Sequence, residues 1–102
     1  MADTAAFLKL TNDGALNILR AAMTKAQSMG VPQCIAVVDS GGHMLAFSRM
    51  DGALYQSIDT AQAKARTAAC NGQPSGHLLE GVDIKLAIAT GGARVNLPGG
   101  LP

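Results

Sequence analysis

The densest chemistry in this 102-residue chain lies in Arg49-Met50-Asp51-Gly52-Ala53. Arg49 can present a planar fork to a carboxylate or a propionate. Asp51 can cap a helix, touch a ligand, or serve as an acid or base. Gly52 allows a close approach or a positive φ. A second set is periodic: Gln56, Thr60, Lys64 and Thr67 recur at helical spacing, either as a ligand-facing stripe or as an ordinary wetted face. A third set is Asp39-Ser40-Gly41-Gly42, turn chemistry that places Asp39 at the end of one strand and His43 at the start of the next. His43 reads as a hairpin residue or as a ligand, and His77 stands beside a glycine in an irregular stretch.

Other chemistries are excluded by what is missing. Neither glycine-rich segment continues as GK[ST], so there is no P-loop, and no GxGxxG follows a strand. HExxH, CxxC and CxxCH are absent, which leaves no metal set at a productive spacing. No GxSxG elbow supports a hydrolase.

The elements that must carry these residues follow from periodicity. Thr11, Asn12 and Asp13 offer caps, and Ala15, Leu19, Ala22, Ala26 and Met29 form a helical stripe that Gly30 and Pro32 end. Cys34 to Val38 is a short apolar strand covered on both faces. Asp39-Ser40-Gly41-Gly42 turns the chain, and His43 to Arg49 returns as the second strand of a hairpin. The next helix is expected from about Asp51 or Gly52 to Cys70, where Asn71-Gly72-Gln73-Pro74 breaks it. Ser75 to Ala89 is mixed: His77 to Glu80 suggests a helical turn, and Ile84, Leu86 and Ile88 fit an alternating strand or a short helix. Arg49 and Asp51 are therefore expected at a strand-to-helix junction, bordering a pocket.

Composition sets the class. Of the residues 48% are hydrophobic and 15% charged, with a net charge of +1, so a single folded domain is expected rather than a disordered tail. Near-neutral charge and three aromatic residues argue against nucleic acid or an anionic membrane as the main partner. No signal-peptide pattern opens the chain and no run is long enough for a membrane helix, which makes the cytoplasm the default expectation. Cys34 and Cys70 read as reduced packing residues without a bridge.

The ordered runs Ile35-Ala36-Val37-Val38-Asp39-Ser40-Gly41-Gly42-His43, Ser48-Arg49-Met50-Asp51-Gly52-Ala53 and Ala61-Gln62-Ala63-Lys64-Ala65-Arg66-Thr67-Ala68 resemble the GlcG/HbpS family from Leu10 to Pro102. That family includes haem-binding and haem-degrading proteins and the C-terminal domain of PduO-type cobalamin adenosyltransferases. The resemblance implies an α/β (α+β), profilin-like domain, an antiparallel sheet flanked by helices, assembled into homo-oligomers. In the family, the stretch matching Gly99-Gly100-Leu101-Pro102 leads into further strands, a small-residue segment and a closing helix. Residues 1–102 are thus expected to form one domain of this type, incomplete at its C-terminal end. Its sheet would be completed by polypeptide beyond Pro102 or by a partner chain.

The function that the resemblance favours is binding of a small molecule, haem first; the family does not rely on one shared histidine, so no residue inherits the axial role from it, and His43 is the candidate that the residues offer. Asp39, His43, Arg49, Asp51, Gly52, Thr60, Lys64 and Thr67 are the candidate ligand-binding residues. The alternative is a cofactor-free lyase or isomerase acting on a small organic acid. Arg49 would then hold the carboxylate, with Asp51 or Lys64 as acid or base. A third reading is a structural oligomerisation module.

Overall fold

The computed structural model describes residues 2–102. It arranges them as α1 (Asn12–Met29), β1 (Cys34–Val38), β2 (Met44–Arg49), α2 (Gln56–Asn71) and α3 (Val82–Ala89). The fold class is α+β, with a two-stranded antiparallel sheet among three helices.

α1 begins and ends as its sequence dictates. The Thr11 hydroxyl accepts from the Gly14 N–H at 3.0 Å, which satisfies a donor the helix itself cannot. Gly30 closes the helix at φ 68, where a side chain would be strained, and the N–H of Val31 returns to the Ala26 carbonyl. The buried face carries Ala15, Leu19 and Ala26. Ala15 and Leu19 meet Val37 of β1 and Ala46 of β2, with Ile35 and Leu45 packed around them. α1 therefore covers one face of the hairpin, and α2 packs against β1.

The hairpin pairs Cys34 with Arg49 and runs in register to Val37 opposite Ala46. Its irregularity then brings Val38 opposite Met44, so the returning strand starts one residue later than expected. The turn closes through Asp39 N–H to the His43 carbonyl at 2.8 Å and Gly42 N–H to the Asp39 carbonyl at 3.0 Å. Gly42, at φ 83, makes that turn feasible.

Two expectations are corrected and one open alternative is resolved. α2 starts at Gln56 and not at Asp51 or Gly52. The intervening residues form a turn, with Ala53 N–H on the Met50 carbonyl, and Gly52 at φ 88 cannot sit inside a helix. Asp51 is therefore not the N-cap. The ambiguous stretch resolves as helix, not strand: α3 carries Ile84, Leu86 and Ile88, and Asp83 Oδ1 accepts from the Gly81 and Ile84 N–H groups at its start. Finally, Cys34 and Cys70 are both free thiols, but only Cys34 is buried; Cys70 is exposed near the end of α2.

None of the residues of α3 is buried, and Ile84 and Ile88 are 65% and 75% exposed. The segment after α3 folds back on α2. Val95 N–H donates to Thr67 Oγ1 at 2.9 Å and Arg66 Nη1 donates to the Ala93 carbonyl at 3.1 Å. Ser75 and Gly100 exchange two bonds, at 2.9 and 2.8 Å. Among the described residues no helix is long and apolar enough to cross a membrane.

Candidate functional site

Two places concentrate chemistry. The first is the hairpin turn. Asp39 Oδ1 accepts from the backbone N–H groups of Gly41 and His43, both at 2.9 Å, as an Asp opening a tight turn commonly does. The same carboxylate lies 3.1 and 3.2 Å from His43 Nδ1. The His43 N–H, then the Gly41 N–H and the charge of the ring, hold the Asp39 carboxyl below its ordinary value against an opposing desolvation. A carboxylate on Nδ1 fixes the tautomer with the proton on that nitrogen and leaves Nε2 with a free lone pair. The imidazole side chain is 81% exposed.

The turn rests on α2. A Cβ at Gly42 would lie 2.8 Å from the Arg66 side chain and 3.2 Å from Cys70 Sγ, so glycine is required here by space as well as by φ. Cys70 Sγ stands 3.8 Å from the Gly41 carbonyl and accepts from Arg94 Nη2 at 3.1 Å. Arg94 Nε is buried with no hydrogen-bond partner among the described residues. The Arg66 stem and the Cys70 thiol therefore rest against the turn, the Arg66 guanidinium reaching the Ala93 carbonyl and Arg94 standing beyond the thiol. Among the described residues no group of three or more His, Cys, Asp or Glu side chains is arranged to hold a free metal ion.

The second place is a groove of about 910 Å³ along the free edge of β1. It runs from Pro32 and Leu54 to Asp39 and Ser40, between Ile18 and Ala22 of α1 and the face of α2 that carries Thr60, Lys64 and Ala65. Gly99 to Pro102 also line it.

The candidate residues separate accordingly. Asp39, Thr60 and Lys64 reach the groove, and His43 stands just past its end. Thr67 belongs to the same helical stripe but is 1% exposed, because residues 93–97 lie across that turn of α2. Arg49 is exposed, its guanidinium 5.8 Å from the Tyr55 ring centre, and Asp51 is exposed on its turn. Gly52 lies against the Pro32 ring. Arg49, Asp51 and Gly52 are not among the residues lining the groove, so the structure does not bring Arg49 and Asp51 together with Lys64. Sequence reasoning missed Arg66, Cys70 and Arg94. The first two share a helix face at i and i+4, which was a usable signal. Arg94 is placed only by the fold-back after α3, which no local pattern announces.

Comparison with known proteins places the chain. Escherichia coli K12 protein GlcG is 36% identical over 94 residues, covering 91% of this chain and 70% of that protein. The crystal structure of Klebsiella pneumoniae protein ORFY superposes with a TM-score of 0.89 at 27% identity, over 100% of this chain and 74% of that one. That of HbpS gives 0.81 at 31% identity, over 98% and 71%. A PduOC:haem complex gives 0.72 at 29% identity, over 82% of this chain and 64% of that one. The model of the haem-degrading protein HbpS-like family matches residues 10–102, a span that contains all three sequence motifs, and the chain belongs to that family.

Proposed function

We propose that the chain is a haem-binding domain in which the Asp39–His43 turn supplies the iron ligand. The carrying observation is the imidazole itself: Nδ1 is held by the Asp39 carboxylate at 3.1 Å, Nε2 is unengaged, and the ring is exposed. A carboxylate behind a ligating histidine fixes its orientation and raises its basicity, which is the usual support for a metal-bound imidazole. Membership of a family with a haem-bound relative supports haem over a free ion. Two cations stand on the α2 side of the turn: Arg66 rests its stem against Gly42 with Nη1 on the Ala93 carbonyl, and Arg94 Nη2 donates to Cys70 Sγ. Guanidiniums match the paired oxygens of propionates.

Haem supplies an iron centre when bound; the chain's own work is to hold and orient it. His43 offers Nε2, Asp39 keeps the proton on Nδ1, and the arginines orient the carboxylate edge. Titration of hemin into the apoprotein, followed by its Soret band, tests the reading. His43→Ala is expected to weaken binding at least about tenfold with the far-ultraviolet dichroism unchanged, a loss of roughly 1.4 kcal/mol. Asp39→Asn should shift the Soret maximum with a smaller loss of affinity. An unaltered titration and spectrum in folded His43→Ala would refute the assignment.

A further inference from the structure

Cys70 takes no part in holding haem, yet cations and open space converge on it. It stands on the last turn of α2 and is exposed, while the other thiol, Cys34, is buried in β1. Its sulfur is held between two partners, donating to the Gly41 carbonyl at 3.8 Å and accepting from Arg94 Nη2 at 3.1 Å. One turn back, the Arg66 stem rests against Gly42, as the sulfur does. α2 thus brings Arg66 and Cys70 to one face, at i and i+4, and the fold-back after α3 adds Arg94.

Neither guanidinium is neutralised. Among the described residues the single acid–base contact is that of His43 with Asp39, so no carboxylate lies within 4.0 Å of Arg66 or Arg94. Arg66 uses one N–H on the Ala93 carbonyl and Arg94 uses one on the thiol. Arg94 Nε is buried without any partner among the described residues. A guanidinium carries five donors, so both groups keep donors for an incoming anion.

The thiol also opens on a cavity. Cys70, Asn71, Gln73 and His77 line a cleft of about 370 Å³ between the end of α2 and residues 73–78, at the lower end of the range of small-molecule sites. None of the described residues lining it is acidic. It shares no residue with the groove along β1.

We propose that Cys70 is a thiolation site for small anionic disulfides, whose carboxylates the Arg66 and Arg94 guanidiniums attract and whose retained half lies in the cleft. The Cys70 thiolate attacks one sulfur of the disulfide, so a new bond to Cys70 forms and the original sulfur–sulfur bond breaks. The leaving half departs with that electron pair as a thiolate, and the proton first carried by Cys70 reaches it through solvent. Cys70 passes from thiol to disulfide as the leaving half passes from disulfide to thiol, so no further oxidant enters. The site is a property of the haem-free protein, so its test and the hemin titration succeed or fail separately.

The probes are glutathione disulfide, which carries carboxylates and a net negative charge, and cystamine, a cationic disulfide. Each is added to haem-free protein at neutral pH, with rates read by intact mass and the modified residue by peptide mapping. The same chain unfolded in urea gives the intrinsic ratio of the two rates. In the folded chain Cys70 and not Cys34 should be modified, and the preference for glutathione disulfide should exceed the unfolded ratio by about tenfold or more at low salt. At about 1 M salt, where the screening length is about 3 Å, that excess should fall to roughly threefold or less. Arg66→Gln and Arg94→Gln should each cut the low-salt excess by about threefold or more. In the mixed disulfide the amide signals of residues 73–78 should shift. A preference equal to that of the unfolded chain overturns the proposal, as do reaction at Cys34 first, an unchanged excess in both folded arginine variants, and a mixed disulfide that leaves residues 73–78 unmoved. If an arginine variant fails to fold, the salt dependence of the wild type decides.

Discussion

Replacing Thr67 by valine removes one oxygen and almost nothing else, and the structure says which bond suffers. Thr67 is 1% exposed, and Oγ1 donates to the Ala63 carbonyl at 2.8 Å and accepts from Val95 N–H at 2.9 Å. The Ala63 carbonyl loses little, because it sits inside α2 and keeps its helical partner. Among the described residues Val95 N–H has no second acceptor, so it is left unpaired in a half-buried place. The cost of a stranded donor is about 1–3 kcal/mol, and the exposed side of Val95 argues for the lower half of that range. In a domain of this size each kcal/mol is worth about 4–8 °C in Tm. Thr67→Ser keeps the hydroxyl and gives up one methyl, about 0.8 kcal/mol. Urea unfolding of the three proteins, with exchange of the Val95 amide, separates the contributions. Valine should be less stable than serine, and only valine should release Val95. Equal stability of Thr67→Val and wild type, or a Val95 amide still protected in valine, would refute this account of how residues 93–97 are held.

Gly100→Ala should cost about 1–3 kcal/mol by calorimetry, since the new methyl meets the Lys64 carbonyl and Ser75 Oγ with no room to move. The Asp39 carboxyl titrates below its ordinary value in the fold, so its stabilising effect is complete above the unfolded value, about 3.9, and is lost as pH falls through the lower folded one. Unfolding midpoints of wild type and Asp39→Asn, measured from pH 7 down to 2, should therefore differ most near neutrality and converge in acid. With an aromatic disulfide reagent Cys70 should react first in native protein and Cys34 only on unfolding; equal rates would contradict their exposures.

The parts of the molecule legible in the sequence are those fixed by local rules. The Thr11 cap, the Gly30 stop, the hairpin and the α2 terminus at Gly72 each follow from neighbouring residues alone. Asp51 misled because capping preference is local, whereas the position of α2 is set by Gly52 at φ 88. Ile84, Leu86 and Ile88 were ambiguous because apolar alternation and a short apolar helix look alike over eight residues. At the site, the turn that carries Asp39 and His43 followed from its composition, whereas their pairing through Nδ1 came only with the fold. The approach of Arg66, Cys70 and Arg94 was not legible either, since it depends on a fold-back from a distant segment. Thr67 was noticed as polar and periodic, yet its role is to anchor that segment rather than to face a ligand.

α3 has a consequence of its own. A helix of eight residues is too short to persist unaided, and none of these residues is buried. What tethers it is one side chain: Asn96 accepts from Leu78 N–H at 2.9 Å and donates to Asp83 Oδ2 at 3.3 Å, clasping the start of the helix. Asp83 is held below its ordinary carboxylate value by the Ile84 N–H first and then by that asparagine, so the clasp weakens in acid. Residues 78–90 are thus expected to open before the α1–hairpin core, which does not depend on that clasp. Limited proteolysis should cut there first and yield a nicked protein that still unfolds cooperatively.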